Sequence, residues 1–165
     1  MDNFKIVTLK ELEDLQKLSK KTYIEAFSEL IEKDDIYKFI DDKYSIDNLT
    51  KDLNDELNHF LFYVDKGLVC GYIMYSIKSD SVEINRLYML KQFKGLGIGT
   101  KLMDKGAMEA RKNHKKKLSL GVLEKNVKAL SFYQKKGFNL YETEEILIGE
   151  TEYKLLHLEK HLSPV

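Results

Sequence analysis

Hydrophobic positions change their period twice along this chain, and the changes mark out its segments. In "LKELEDLQKLSKKTYIEAFSELI" (9–31) apolar residues recur at Leu12, Leu15, Leu18, Tyr23 and Phe27, the spacing of one helix face. A short strand, "FKIV" (4–7), precedes it. "DDIYKFIDDKYSIDNLTKDL" (34–53) is polar and interrupted and predicts short helices, with Ser45 and Asp47 available as caps. The pattern then shortens. "HFLFYVD", a Lys-Gly turn and "LVCGYIMYSIK" (68–78) predict a β-hairpin, and "SVEINRLYML" (81–90) a third strand. Residues 99–114 predict a helix, "KLSLGVL" (117–123) a strand, and 126–136 a helix closed by Gly137. "FNLYETEEIL" and "ETEYKLLHLEKHL" supply two more strands. The order β-α-α-β-β-β-α-β-α-β-β predicts an α/β fold with a mixed sheet, antiparallel at first and joined through at least one crossover helix. No repeat or linker interrupts the chain, so residues 1–165 are expected to form a single domain.

Composition narrows the possible functions. Lys plus Arg equals Asp plus Glu at 27 each, so no global field points to nucleic acid or an anionic membrane. The longest apolar runs are far too short to span a bilayer, and no apolar leader opens the chain. The single cysteine, Cys70, excludes an internal disulfide and fits a reducing cytoplasm, the expected location. No His or Asp lies close to Cys70 in sequence to activate it, so it reads as a small core residue. The run "RKNHKKK" (111–117) reads as the dipole-complementing end of a helix.

One stretch asks for more than structure. In "KQFKGLGIGTKLM" (91–103), Gly95, Gly97 and Gly99 run at alternate positions straight into an amphipathic pattern. Glycine is poor helix material, and a Gly-rich turn feeding a helix N-terminus suits an anion such as a phosphate. A Walker A loop fails because Thr100 precedes Lys101. A dinucleotide fingerprint fails because its third glycine falls on Thr100 or Leu102. A plain tight turn would need only one glycine.

The stretch "RLYMLKQFKGLGIGTKLM" is similar to the acetyl-CoA motif of the GNAT superfamily of N-acetyltransferases. "LEKNVKALSFYQKKGF" (123–138) resembles that superfamily's second diagnostic segment, and together the two fit nearly the whole chain. The resemblance implies the acyl-CoA acyltransferase fold, a mostly antiparallel sheet flanked by helices, with acetyl-CoA as cosubstrate and no metal. It places the pyrophosphate on the loop of Lys94, Gly95, Leu96, Gly97, Ile98, Gly99 and Thr100, and the pantetheine arm along the backbone of Leu87, Tyr88 and Met89. An amide of that strand would stabilise the oxyanion. Lys94 stands where the family usually has Gln or Arg, keeping a positive charge without the guanidinium fork. Asn126 reads as a helix N-cap; the resemblance adds a hydrogen bond to the CoA arm. Tyr133 becomes the general acid that protonates the departing thiolate.

The acceptor imposes its own demand. A lysine-like amine is free base only about once in a few thousand molecules at neutral pH, and only the free base attacks. A base is therefore needed, directly or through water. Glu83 lies four residues before Leu87, an even offset that predicts a shared strand face, and is the first candidate; Glu124 is the second. Within the superfamily the chain is most similar to bacterial polyamine acetyltransferases of the PaiA type, through "TYIEAF", "INRLYML", "LGVLEKN" and "ALSFYQKKGF". The acid-rich segment with Glu25, Glu29, Glu32, Asp34, Asp35, Asp41 and Asp42 lies beside Tyr23, Tyr37 and Tyr44, a combination suited to a polycation. The expected partner is a small-molecule amine, the expected state a monomer or homodimer. A protein lysine or N-terminus as acceptor, and a non-catalytic acyl-CoA sensor, are the alternatives.

Overall fold

The computed structural model describes residues 2–163. β1 (Phe4–Ile6) leads through a single 3-10 turn (Leu9–Glu11) into three helices, α1 (Leu12–Phe27), α2 (Lys33–Lys43) and α3 (Ile46–Asn54). A meander follows, β2 (Asn58–Asp65), β3 (Leu68–Ile77) and β4 (Ser81–Met89). Then come α4 (Ile98–Lys112), β5 (Lys117–Leu123), α5 (Val127–Lys135), β6 (Asn139–Ile148) and β7 (Thr151–His161). The expected α/β class and helix-flanked, mostly antiparallel sheet are what the chain forms. Among the described residues no helix is long and apolar enough to cross a membrane.

Local chemistry accounts for the element ends. Lys66 and Gly67 both hold positive φ, 51° and 77°, which gives the β2–β3 hairpin the turn twist that matches its strands. Ser45 caps α3, its Oγ accepting from the Asn48 N–H at 3.1 Å; Asp47 sits inside the first turn rather than at the cap. The expected helix over 9–31 is shorter, because residues 9–11 take a 3-10 turn and the helix stops at Phe27. The interrupted segment resolves into two short helices, α2 and α3.

The sheet order is β1–β2–β3–β4–β5–β7–β6. Every neighbouring pair is antiparallel except β4–β5, which α4 joins as a crossover. That parallel ladder is short: residues 81–84 face residues 117–120, and beyond Ile84 and Leu120 the strands part. β5 runs on beside β7 as far as Leu123, so among the described residues no strand lies on that side of residues 85–89 of β4.

One sheet face packs under α1, α2 and α3 around Leu15, Ile40, Leu49, Phe62 and Tyr72. The opposite face packs under α4 around Ile73, Ile84, Leu102 and Leu118, with Phe132 and Tyr133 of α5 against the same core. Cys70 is buried there as a small core residue.

Candidate active site

The Gly loop meets the unpaired end of β4. Residues 91–93 make one 3-10 turn tied to α1, the Lys91 N–H donating to Glu25 Oε1 at 3.0 Å. Gly95 and Gly97 then adopt φ of 83° and 78°, a region that side chains rarely enter. Gly97 is the N-cap of α4 and no side chain caps that end; no acidic residue stands in its first turn, whereas α1, α2 and α3 each carry one there. The amides opening α4 and its positive dipole end thus meet no side-chain cap. Gly99 serves a different end: a Cβ there would lie 2.8 Å from Met89 Cε, so its bareness lets α4 approach β4.

Leu87, Tyr88 and Met89 are half-buried on the β4 segment that β5 leaves unpaired. Their faces are set by a bulge. Met74 of β3 faces Arg86, but Tyr75 faces Ile84, so Asn85 is an extra residue. Val82 and Ile84 point to the α4 side, and after the bulge Leu87 and Met89 do so; Tyr88 packs with the α1 side. This corrects the expectation for Glu83. The even offset from Leu87 assumes unbroken alternation, and Asn85 breaks it, so Glu83, facing Ser76, lies on the side of Arg86 and Tyr88. Its side chain is 42% exposed, 4.0 Å from Lys78 Nζ, and accepts from Asn85 Nδ2 at 3.4 Å. Glu124 is exposed at the end of β5, where its N–H donates to the Lys154 carbonyl.

Tyr133 projects from α5 toward the same core as Leu87 and Met89. Its ring meets Phe132 and Phe138 edge-on, at 5.4 and 5.8 Å between centroids. Burial alone pushes its hydroxyl pKa up to about 12. Tyr88 is held well above the usual tyrosine value by burial, and then by the neighbouring Tyr72, Tyr23 and Tyr133. Asn126 Oδ1 accepts from the Ala129 N–H at 3.3 Å and caps α5.

The acid-rich segment is only partly free. Asp35 is buried and accepts from the Glu150 N–H and Thr151 Oγ1, which hold its carboxyl below the usual range. Glu25 holds the Gly loop, and Asp41 lies 3.6 Å from Lys20 Nζ. Tyr23 and Tyr44 are core rings; Tyr37 is exposed and, with Asp34, Asp41, Lys38 and Glu150, lines a 380 Å³ surface hollow. Among the described residues no three His, Cys, Asp or Glu side chains gather to hold a metal ion.

Arg86, at the start of the unpaired segment of β4, was not singled out in the sequence. Its side chain is 14% exposed and its Nη2 lies 3.0 Å from Asp52 Oδ2 of α3. The signal was a lone arginine in the otherwise apolar run "RLYML".

Comparison with known proteins gives the family and the fold. Residues 12–138 match the sequence profile of the acetyltransferase (GNAT) family. An uncharacterised N-acetyltransferase of the pepI 3′ region of Lactobacillus delbrueckii subsp. lactis is 26% identical over 98% of this chain and 99% of its own. A spermidine N(1)-acetyltransferase of Thermoplasma acidophilum is 26% identical over 84% of this chain and 88% of its own. In structure, the chain is similar to a PaiA N-acetyltransferase of Thermoplasma acidophilum in complex with coenzyme A. The TM-score is 0.82 at 21% identity, over 98% of this chain and 100% of the other.

Proposed function

The chain belongs to the acetyltransferase (GNAT) family and is an acetyl-CoA-dependent N-acetyltransferase; from that premise we propose that its acceptor is a polyamine such as spermidine or spermine, taken in the PaiA manner. The observation that carries the site assignment is the junction of three features: an uncapped α4 N-terminus, an unpaired β4 edge running into it, and Tyr133 beside that edge.

In this reading the amides of Gly95, Leu96, Gly97, Ile98, Gly99 and Thr100 hold the pyrophosphate, with Lys94 adding charge. The free backbone of Leu87, Tyr88 and Met89 pairs with the pantetheine arm, and one of its amides receives the oxyanion. Asn126 spends its Oδ1 on the helix cap and keeps its amide N–H groups for the CoA arm. Tyr133 returns a proton to the thiolate as it leaves. Glu83, on the α1 side of β4, draws the ammonium proton away through water; Glu124, at a strand end, is the lesser assignment. The same reading has residues 1–165 acting as one catalytic domain in the cytoplasm, on a small-molecule acceptor.

The polyamine class rests on the Thermoplasma relative named a spermidine N(1)-acetyltransferase, and on the acid-lined hollow of α2 with exposed Tyr37. An acceptor panel read by CoA release tests it. Spermidine and spermine should exceed a neutral-tailed alkylamine in kcat/KM, and added salt should erode the advantage as it screens the distal charges. Equal efficiency for spermidine and the alkylamine at low salt would remove the polyamine class. A lysine peptide outperforming both would move the acceptor to protein.

A further inference from the structure

Arg86 is an expensive residue for a core to keep. It faces Asp52 from α3, the Tyr44 ring at 5.0 Å from the end of α2, and the Phe60 ring at 5.6 Å from β2. Tyr72 of β3 approaches it, and Ser19 of α1 approaches Tyr72 in turn. Arg86 Nη1, Tyr72 Oη and Ser19 Oγ are all buried, and among the described residues none of the three makes a hydrogen bond of good geometry, although Arg86, Ser19 and Tyr44 all approach the Tyr72 hydroxyl. Unsatisfied buried polar atoms cost stability, and buried ion pairs are often replaced by apolar side chains without loss. Stability alone therefore does not account for the pair.

Its position does. Arg86 is the first residue after the bulge, and its direction depends on where the extra residue falls. Were the bulge to move past it, Arg86 would follow Val82 and Ile84 onto the α4 side, among Ile73, Leu102 and Met103, with no partner for its charge. We propose that Arg86 is a positioning residue: its buried charge fixes the bulge at Asn85, and the bulge aims the unpaired backbone of residues 87–89 at the acyl group. The proposal rests on the reading that acetyl-CoA lies along β4. Arg86 itself touches no reacting atom in it; it acts through the strand.

The test separates aim from stability. In R86M/D52L the pair is replaced by apolar side chains, while R86K keeps a charge that pins the bulge but loses the fork. Melting temperature, acetyl-CoA affinity by calorimetry, and the single-turnover acetyl-transfer rate are measured. The carbonyl stretch of bound acetyl-CoA carrying 13C at the carbonyl reports polarisation by the strand amide. The double variant should melt within a few degrees of wild type and bind acetyl-CoA within about threefold. Its transfer rate should fall by about tenfold or more, and part of the carbonyl shift should vanish, the scale of a misaimed donor. R86K should keep its rate within about threefold of wild type. If the double variant does not fold, R86M, leaving the partly exposed Asp52, takes its place. A folded double variant or R86M with wild-type rate and carbonyl frequency would overturn the proposal, as would an R86K as slow as R86M. A wild-type chain that fails to bind acetyl-CoA would instead overturn the underlying site assignment, and the proposal with it.

Discussion

As the proposed general acid, Tyr133 meets a thermodynamic obstacle at the scale of a single residue. A hydroxyl with a pKa near 12 would protonate a thiolate of ordinary basicity uphill by about 5 kcal/mol if it acted alone. The step balances when the attacking nitrogen gives up its proton as the sulfur receives one, so that Tyr133 relays and tyrosinate never accumulates. Tyr133→Phe should therefore lower single-turnover transfer by about two orders of magnitude and leave acetyl-CoA affinity intact. An unaltered rate constant would take Tyr133 out of the chemistry. The pH dependence follows from the same shift. Tyr133 stays protonated at every pH below its raised pKa, so activity should climb from pH 6 to 10 as the amine sheds its proton. Tyr133 adds no descending limb in that range. Rates measured over the interval should rise throughout, and Tyr133→Phe should lower the curve without moving its midpoint.

At the scale of elements, α4 shows what a glycine run is for. A Cβ at Gly97 would meet nothing within 4 Å, so a substitution there strains the backbone at φ 78° and covers the amides without disturbing a core. Gly97→Val should fold, with a melting temperature lower by a few degrees, about what 1–2 kcal/mol of left-handed strain does to a chain of this size. Acetyl-CoA affinity should fall by at least about tenfold; wild-type affinity by calorimetry would put the pyrophosphate elsewhere. The helix, its Gly entry and the hairpin before it were legible because each is a local matter of period and turn chemistry. Strand neighbours were not. Nothing within β5 or β7 says that β7 inserts between β5 and β6, a choice made by distant side chains in two cores. The bulge was equally hidden: counting by twos from Leu87 carries Glu83 to the wrong face, because the extra residue at Asn85 is visible only in the register with β3. Tyr23 and Tyr44 read as pocket aromatics, yet the helices they sit on bury them.

For the whole molecule, six buried or half-buried tyrosines, at 23, 44, 72, 75, 88 and 133, have pKa values raised chiefly by burial. Each binds its proton more tightly folded than unfolded, so each contributes stability that is complete below pH 10 and drains away above it. Denaturant midpoints should hold level through neutral pH and drop steeply past about pH 10. The tyrosinate absorbance of these six rings should then appear together with unfolding rather than before it; their ionisation in a still-folded chain would contradict their burial. The sheet adds a mechanical consequence. β1–β4 and β5–β7 are two antiparallel plates joined by a parallel ladder of only four residue pairs, with α4 bolted across the joint. A plate joined so briefly has its plane of easiest fracture along that suture, and the proposed acyl-CoA groove is the open continuation of the same line. An occupant lying there would act as a splint across that line. At about a hundredfold over its dissociation constant, that splint adds roughly 2.7 kcal/mol by mass action.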